Sequence, residues 1–409
     1  MKQKRYFLFF IIFFILFNIC GCNKKDSSKD SKELNVYIDI KDKHTLNVLK
    51  TITDGYKNTH DVKLNITNSL VDDIEKDISK ENSPDLVFIS RNEMMNLGKK
   101  GLLDEMKCCY DKDKINNRYY SVFNSYGRYG DKYYGIGVVP YTIEILYNKE
   151  ALKKLDVKEP KNIKDMKTIM KKVNKDKKIP VLLPDDIDIN TIIFSIIANN
   201  KINSIDLEKA YDKGKEEYLK LDGVKESFDT YNNLVKEGII TKDTFENANE
   251  ISLDKFKQGD IPFIIAMSYY NQEFKGKNID VLKSPYNVDK LNDNTPVLVN
   301  CLASVPLKGK NSEEVSKFLD FMLSNKNQEA IIKKGVVTAN KEVNKKQGKS
   351  LSPINKNTVK SLKDANEDSI MFLYNINSKI KPELSSKLDD ILAGKYTGKE
   401  WEEIVKYIK

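Results

Sequence analysis

The chain has 409 residues, 40% of them hydrophobic and 32% charged, and its 69 Lys and Arg exceed its 60 Asp and Glu to give a formal net charge of +9. That fits a globular body of two domains, or one core divided into lobes. Lysines interleaved with acids argue against a nucleic-acid-binding stripe. With two histidines and no H-E-x-x-H, G-x-x-x-x-G-K-S/T or G-x-S-x-G, nothing supports a zinc hydrolase, a P-loop NTPase or an α/β-hydrolase. No enzyme, cofactor or metal is expected.

Lys2, Lys4 and Arg5 precede an apolar run from Tyr6 to Ile19, shorter than the roughly 20 residues of a membrane-spanning helix and typical of a secretion signal. The run ends Ile19-Cys20-Gly21-Cys22, which resembles the lipobox of bacterial lipoproteins. This makes 1–21 a signal peptide and Cys22 the lipid-bearing first residue of the mature chain, held on the outer face of the cell membrane. "NKKDSSKDSKE" (Asn23–Glu33) has no apolar residue, so 22–33 is predicted to be a disordered tether.

From Leu34 strand and helix signals alternate. "LNVYIDI" (Leu34–Ile40) places Leu34, Val36, Ile38 and Ile40 on one strand face. A helix around Thr45–Lys57, a strand Val62–Ile66, a helix carrying Val71, Ile74 and Ile78, and a strand within Ser83–Ser90 follow. This rhythm predicts α/β architecture with open, mostly parallel sheets and helices on both faces. "INTIIFSIIANN" (Ile189–Asn200) reads as a buried helix, and Lys215–Lys236 as one long helix ended by Gly238. Capping-box spacing is present at Asn311/Glu314 and Thr397/Glu400, and Gly335 has the place of a helix-ending glycine. Adjacent Cys108 and Cys109 would bridge each other only with strain; either could pair with Cys301 and leave one free thiol, and three unpaired cysteines are the expected state.

Four stretches in order carry a family resemblance: "SPDLVFISRNEMMNLGKKGLLDEM" (Ser83–Met106), "YGRYGDKYYGIGVVPYTIEILYNKEALKKLDVKEPKNIKDM" (Tyr126–Met166), "FKQGDIPFIIAMSYY" (Phe256–Tyr270) and "SVPLKGKNSEEVSKFLDFMLSNKNQEAIIKKGVVTANKEV" (Ser304–Val343). Together they resemble the extracellular solute-binding proteins, family 1, of bacterial ABC importers. The resemblance implies a monomeric two-lobe receptor of periplasmic-binding-protein (Venus flytrap) type. Its N-terminal lobe would comprise 34–140 plus 297–325, and its C-terminal lobe 141–296 plus 326–409. Three crossings are expected, near 138–146, 295–303 and 324–328. A small solute, a sugar or oligosaccharide, would bind between the lobes, and lobe closure would deliver it to the transmembrane subunits of the permease.

Sugar sites combine aromatic faces with planar polar groups. Many sugar-binding relatives carry a cleft Trp where this chain has Ser268-Tyr269-Tyr270, and Trp401, the only Trp, lies in the last helix with a packing role. Tyr270 is therefore the candidate platform, with a partly exposed loop tyrosine as the alternative, and Tyr269 beside it is a further candidate contact. Arg91 and Asn92 follow a strand end, where ligand groups gather in such folds; capping and solvation are their bland alternatives. Tyr141 and Glu144 lie at the first crossing, Asn300 in the second, and Asp185 and Asp186 ahead of the buried helix. Three other readings stay open. The tyrosine pair could hold ferric ion, since some iron receptors of a related fold bind through adjacent tyrosines. The solute could be an anionic or modified sugar. The protein could instead serve a membrane sensor with no transport role.

Overall fold

The first strand, β1 (Lys32–Ile38), turns Leu34, Val36 and Ile38 into the interior and pairs in parallel with β2 (Val62–Asn68) along its whole length. The computed structural model describes residues 32–68, 74–110, 115–161, 163–173, 178–184, 187–274, 278–282 and 296–408. The signal segment, Cys22, most of the tether, Val71, Asp185 and Asp186 lie outside these residues. β1 begins two residues inside the expected tether, because Lys32 and Glu33 already face Val62 and Lys63 in the ladder and the Glu33 carboxylate takes hydrogen bonds from Lys63 and Asn65.

Helix α1 (Lys43–Lys57) starts where the Asp42 carboxylate accepts from the His44 and Thr45 amides, a capping arrangement that satisfies two otherwise orphaned donors. β3 (Leu86–Ile89) flanks β1 in parallel, and α2 (Arg91–Lys99) is capped by Ser90 rather than Asn92. After the short hairpin β4 (Arg128–Tyr129) and β5 (Lys132–Tyr133), β6 (Ile136–Gly137) completes the edge of this sheet. The chain then passes through Val138–Pro140 into β7 (Tyr141–Asn148), buried along its whole length.

The second sheet gathers β8 (Ile179–Leu182), β9 (Phe245–Asn247), β10 (Phe263–Met267) and β11 (Ile279–Val281) around β7. Between them lie α3 (Ile189–Asn199), α4 (Ser204–Lys213) and α5 (Asp222–Lys236), and a 3₁₀ turn, Ser268–Phe274, follows β10. Lys215–Lys236 is not one helix, because residues 219–221 interrupt it. β12 (Val297–Leu298) pairs with β7, and the chain returns through 299–301 to β13 (Leu302–Ser304), between β3 and β6.

The orders are thus β2-β1-β3-β13-β6 and β11-β7-β10-β8-β9. Both sheets are mixed: β1 with β2 and β3, and β8 with β9 and β10, are parallel, whereas β6, β7, β11, β12 and β13 pair antiparallel. Parallel pairing is less dominant than the βαβ rhythm predicts, because strands arriving from the other sheet enter against the local direction.

α6 (Ser312–Met322) packs on β1 and α1, and α7 (Asn325–Lys333) packs on α1. The Tyr120 amide bonds Ala339 O and the Lys341 amide bonds Arg118 O. The chain therefore stays with the first sheet through α8 (Lys341–Gln347), and the crossing expected at 324–328 does not occur there. α9 (Pro353–Asp364), against β7 and β11, is the next element on the second sheet. Asn311 also departs from its expected role: its amide donates to Asp85 Oδ2 and to the Glu33 carbonyl, and no side-chain cap forms. A second core joins α3 and α5 to α10 (Lys381–Leu392) and α11 (Glu400–Val405). Trp401 is buried there, with Nε1 2.7 Å from Tyr218 O.

Candidate functional site

The segment after the carboxyl end of β1 meets the turn after β10, and strand carboxyl ends are the usual place for ligand loops in α/β sheets. Asp42 is buried at the start of α1. Besides capping the helix, its Oδ2 accepts from Asn300 Nδ2 at 3.3 Å. Asn300 Oδ1 accepts the Tyr374 hydroxyl proton at 2.6 Å, and Lys381 Nζ sits 5.3 Å from the Tyr374 ring centroid. One polar chain thus runs from the first sheet through the second crossing to the segment before α10.

Beside it is an aromatic group. The His44 and Tyr269 ring centroids are 4.0 Å apart, and His44 Nε2 shares a 2.6 Å hydrogen bond with the Tyr270 hydroxyl. Tyr269 meets Tyr270 edge-on at 5.8 Å and Tyr141 at 6.2 Å. Tyr269 and Tyr270 are half-buried, whereas Tyr141 is fully enclosed and its hydroxyl is held protonated, well above its ordinary range, by burial. Four tyrosine rings, an imidazole, a carboxylate and an amide thus converge where the two sheets meet.

Of the sequence-predicted residues, Tyr141, Tyr269, Tyr270 and Asn300 belong to this group. Arg91 does not. It is 3% exposed, its Nη1 donates to the carbonyls of Ser125, Tyr126 and Arg128, and its Nε donates to Asn375 Oδ1 at 3.0 Å. Burial lowers its pKa to about 10. Asn92 is likewise committed, donating to Ile376 O at 2.7 Å and accepting from Lys381 Nζ at 2.6 Å. Both tie the start of α2 to residues 375–381. Glu144 is buried among Thr142, Asn357 and Thr358, all of which donate to it, and burial raises its pKa. Asp185 and Asp186 lie outside the described residues.

Asp42, His44 and Tyr374 are not among the residues marked by the sequence. "KDKH" (Lys41–His44) follows the first strand directly, so the rule that places ligand loops at strand ends pointed there too. Tyr374 lies in the 3₁₀ turn Phe372–Tyr374, which carries no periodic signal. Among the described residues no three His, Cys, Asp or Glu gather as metal ligands, and no helix is long and apolar enough to cross a membrane.

Two solved structures share this architecture. The GacH receptor of Streptomyces glaucescens GLA.O, described unliganded and with acarbose and an acarbose homolog, superposes with a TM-score of 0.63 at 15% identity, over 91% of this chain and 96% of that one. An ABC transporter solute-binding protein from Thermotoga lettingae TMO, bound with alpha-D-tagatose, gives 0.66 at 14% identity, over 92% of this chain and all of that one. Both share the two-lobe periplasmic-binding-protein fold. No curated protein matches the chain by sequence. The family profile described as bacterial extracellular solute-binding protein matches residues 51–357. With that match over most of its length, the chain belongs to the bacterial extracellular solute-binding protein family, whose members bind solutes and are not enzymes.

Proposed function

We propose that this protein is a membrane-tethered receptor, lipidated at Cys22, that binds a sugar or oligosaccharide between its lobes and delivers it to an ABC permease. The observation that carries the reading is the convergence of Tyr141, Tyr269, Tyr270 and Tyr374 on Asp42 and Asn300. Aromatic faces pack on the C–H faces of a pyranose, and carboxylate and amide groups bond its hydroxyls. Residues from both sheets contribute, so a solute that touches both favours closure by its differential affinity for the closed state. Asp185 and Asp186, just beyond β8, are proposed as further contacts. Arg91 and Asn92 are proposed instead to hold the lobes in register, which weakens the anionic-sugar reading.

One observation favours a second reading. His44 contacts both adjacent tyrosines, and phenolate and imidazole together suit ferric ion as cargo. Thermal melts of the purified protein with a carbohydrate panel and, separately, with ferric citrate decide between them. A ligand at a hundredfold excess over Kd stabilises by about 2.7 kcal/mol. A shift with carbohydrate supports the sugar reading; a shift with ferric ion alone replaces it; a shift with neither favours the sensor role.

A further inference from the structure

A trough of about 580 Å³ opens beside the candidate site, between α1 and the end of α7, and Tyr269 forms its inner end wall. Its floor is Val48, Ile331 and Val336, all at most 4% exposed. Its rim is polar: Asn47, Lys50, Thr51 and Asp54 from α1, Asn58 at that helix's C-cap, and Lys334 from across the trough. Among the described residues the side chains of Asn47, Asp54, Asn58 and Lys334 make no hydrogen bond or ion pair, so their donors and acceptors are available. Asn47, Asp54 and Asn58 lie at i, i+7 and i+11, one stripe along the helix, which runs roughly 16 Å at 1.5 Å per residue.

The trough is continuous with the aromatic group. The Tyr269 ring that ends it is the ring packed against His44 and Tyr141. It is also assembled from both lobes. α1 and α7 pack with the first sheet, whereas Tyr269 follows β10 of the second. At its outer corner Gly335 has φ +88°, and the Gln272 side chain lies against it, donating from Nε2 to Gly335 O at 3.3 Å. A Cβ at Gly335 would stand 2.1 Å from Gln272 Cγ, so only glycine permits both this turn and this approach. An apolar floor, an aromatic end wall and a polar rim match the two-sided character of a glycan, with its C–H faces and hydroxyl edges.

We infer that the trough is an extension of the binding site, and that the solute is a linear glycan. One ring would stack on Tyr269 at the inner end of the trough, and further units would lie outward along α1, hydrogen-bonded by Asn47, Asp54 and Asn58. This rests on the carbohydrate reading of the cleft. It adds a preference for chain length, set by a helix face that does not touch the terminal ring.

The test is titration calorimetry on the full chain in detergent, using glucose, xylose, galactose and N-acetylglucosamine and their linear oligomers of increasing length. The same titrations are run on the double variant Asn47→Ala/Asn58→Ala. Both side chains are exposed, Asn47 within α1, where alanine is a good helix former, and Asn58 at its C-cap. The inference expects tighter binding of an oligomer than of its own monomer, with about a tenfold loss of oligomer affinity in the variant, the scale of two lost hydrogen bonds, and unchanged monomer affinity. Equal affinity for monomer and oligomer, or an oligomer affinity untouched by the variant, overturns the trough while the sugar reading stands. If no member of the panel binds, both readings are overturned.

Discussion

His44 Nε2 lies 2.6 Å from the Tyr270 hydroxyl, joining the first turn of α1 on one sheet to the turn after β10 on the other. Tyr270→Phe deletes the bond and keeps the ring. One such bond is worth about 1 kcal/mol net, or roughly a fivefold change in the balance of closed and open forms. Distance measurements between spin labels on the two lobes should show more open protein in the variant. An unchanged distribution would remove this contact from any part in closure.

Arg91 gives the second prediction. Arg91→Met leaves three carbonyls and Asn375 without their donor, and buried polar groups stripped of partners cost about 1–3 kcal/mol each. The variant should lose roughly 3 kcal/mol or more in urea melts. Arg91→Lys should not rescue it, since an ammonium cannot reproduce the planar fork. A lysine variant that folds normally and loses only solute affinity would return Arg91 to the binding site.

Glu144 predicts a pH dependence. Its folded pKa is raised, first by burial, against hydrogen bonds from Thr142, Thr358 and Asn357 that lower it. The folded chain therefore holds this proton at a pH where the unfolded chain has released it. Stability falls as pH rises through the ordinary carboxylate range to the raised folded value. Glu144→Gln should remove that slope and be the more stable form above it. Parallel pH dependences in urea melts of the two proteins would show that the carboxylate does not titrate in this window.

Cys301 is a buried free thiol in the second crossing, with its pKa pushed well above normal by burial and by the neighbouring Asp42. Iodoacetamide should modify it at least about tenfold more slowly in the native chain than in urea, because the thiolate is the reactive form. Peptide mass analysis resolves it from Cys108 and Cys109. Equally fast native modification would show that this crossing opens readily to solvent.

The proposed lipid anchor is tested at Cys22. Cys22→Ser should release the protein from membranes or leave the precursor uncleaved. Retained processing together with retained membrane association would refute lipidation at Cys22.

The sequence made some parts legible and hid others for identifiable reasons. Leu34, Val36 and Ile38 announced β1 by period-two burial, and Gly238 and Gly335 marked helix ends that have positive φ. The first two crossings were legible because strands run through them: β6 and β7 flank 138–140, and β12 and β13 flank 299–301. The third was misplaced because nothing local distinguishes a helix pair that stays on one sheet from a pair that changes sheets; only the packing of α7 on α1 decides it. The same limit separated Tyr269 and Tyr270 from His44. Their neighbourhood spans more than two hundred positions, and only the docking of two strand ends creates it.

The placement of β13 bears on how the chain folds. β3 pairs with β1 on one side and with β13 on the other, and Leu302 meets Ile89 only after all of β7–β12 has been made. Until then β3 presents a bare hydrophobic edge, the kind of surface that recruits other strands. Long-range pairing of this sort slows folding and lengthens the exposure of intermediates. The rate-limiting step of the first lobe would then be the return of a three-residue strand from the second.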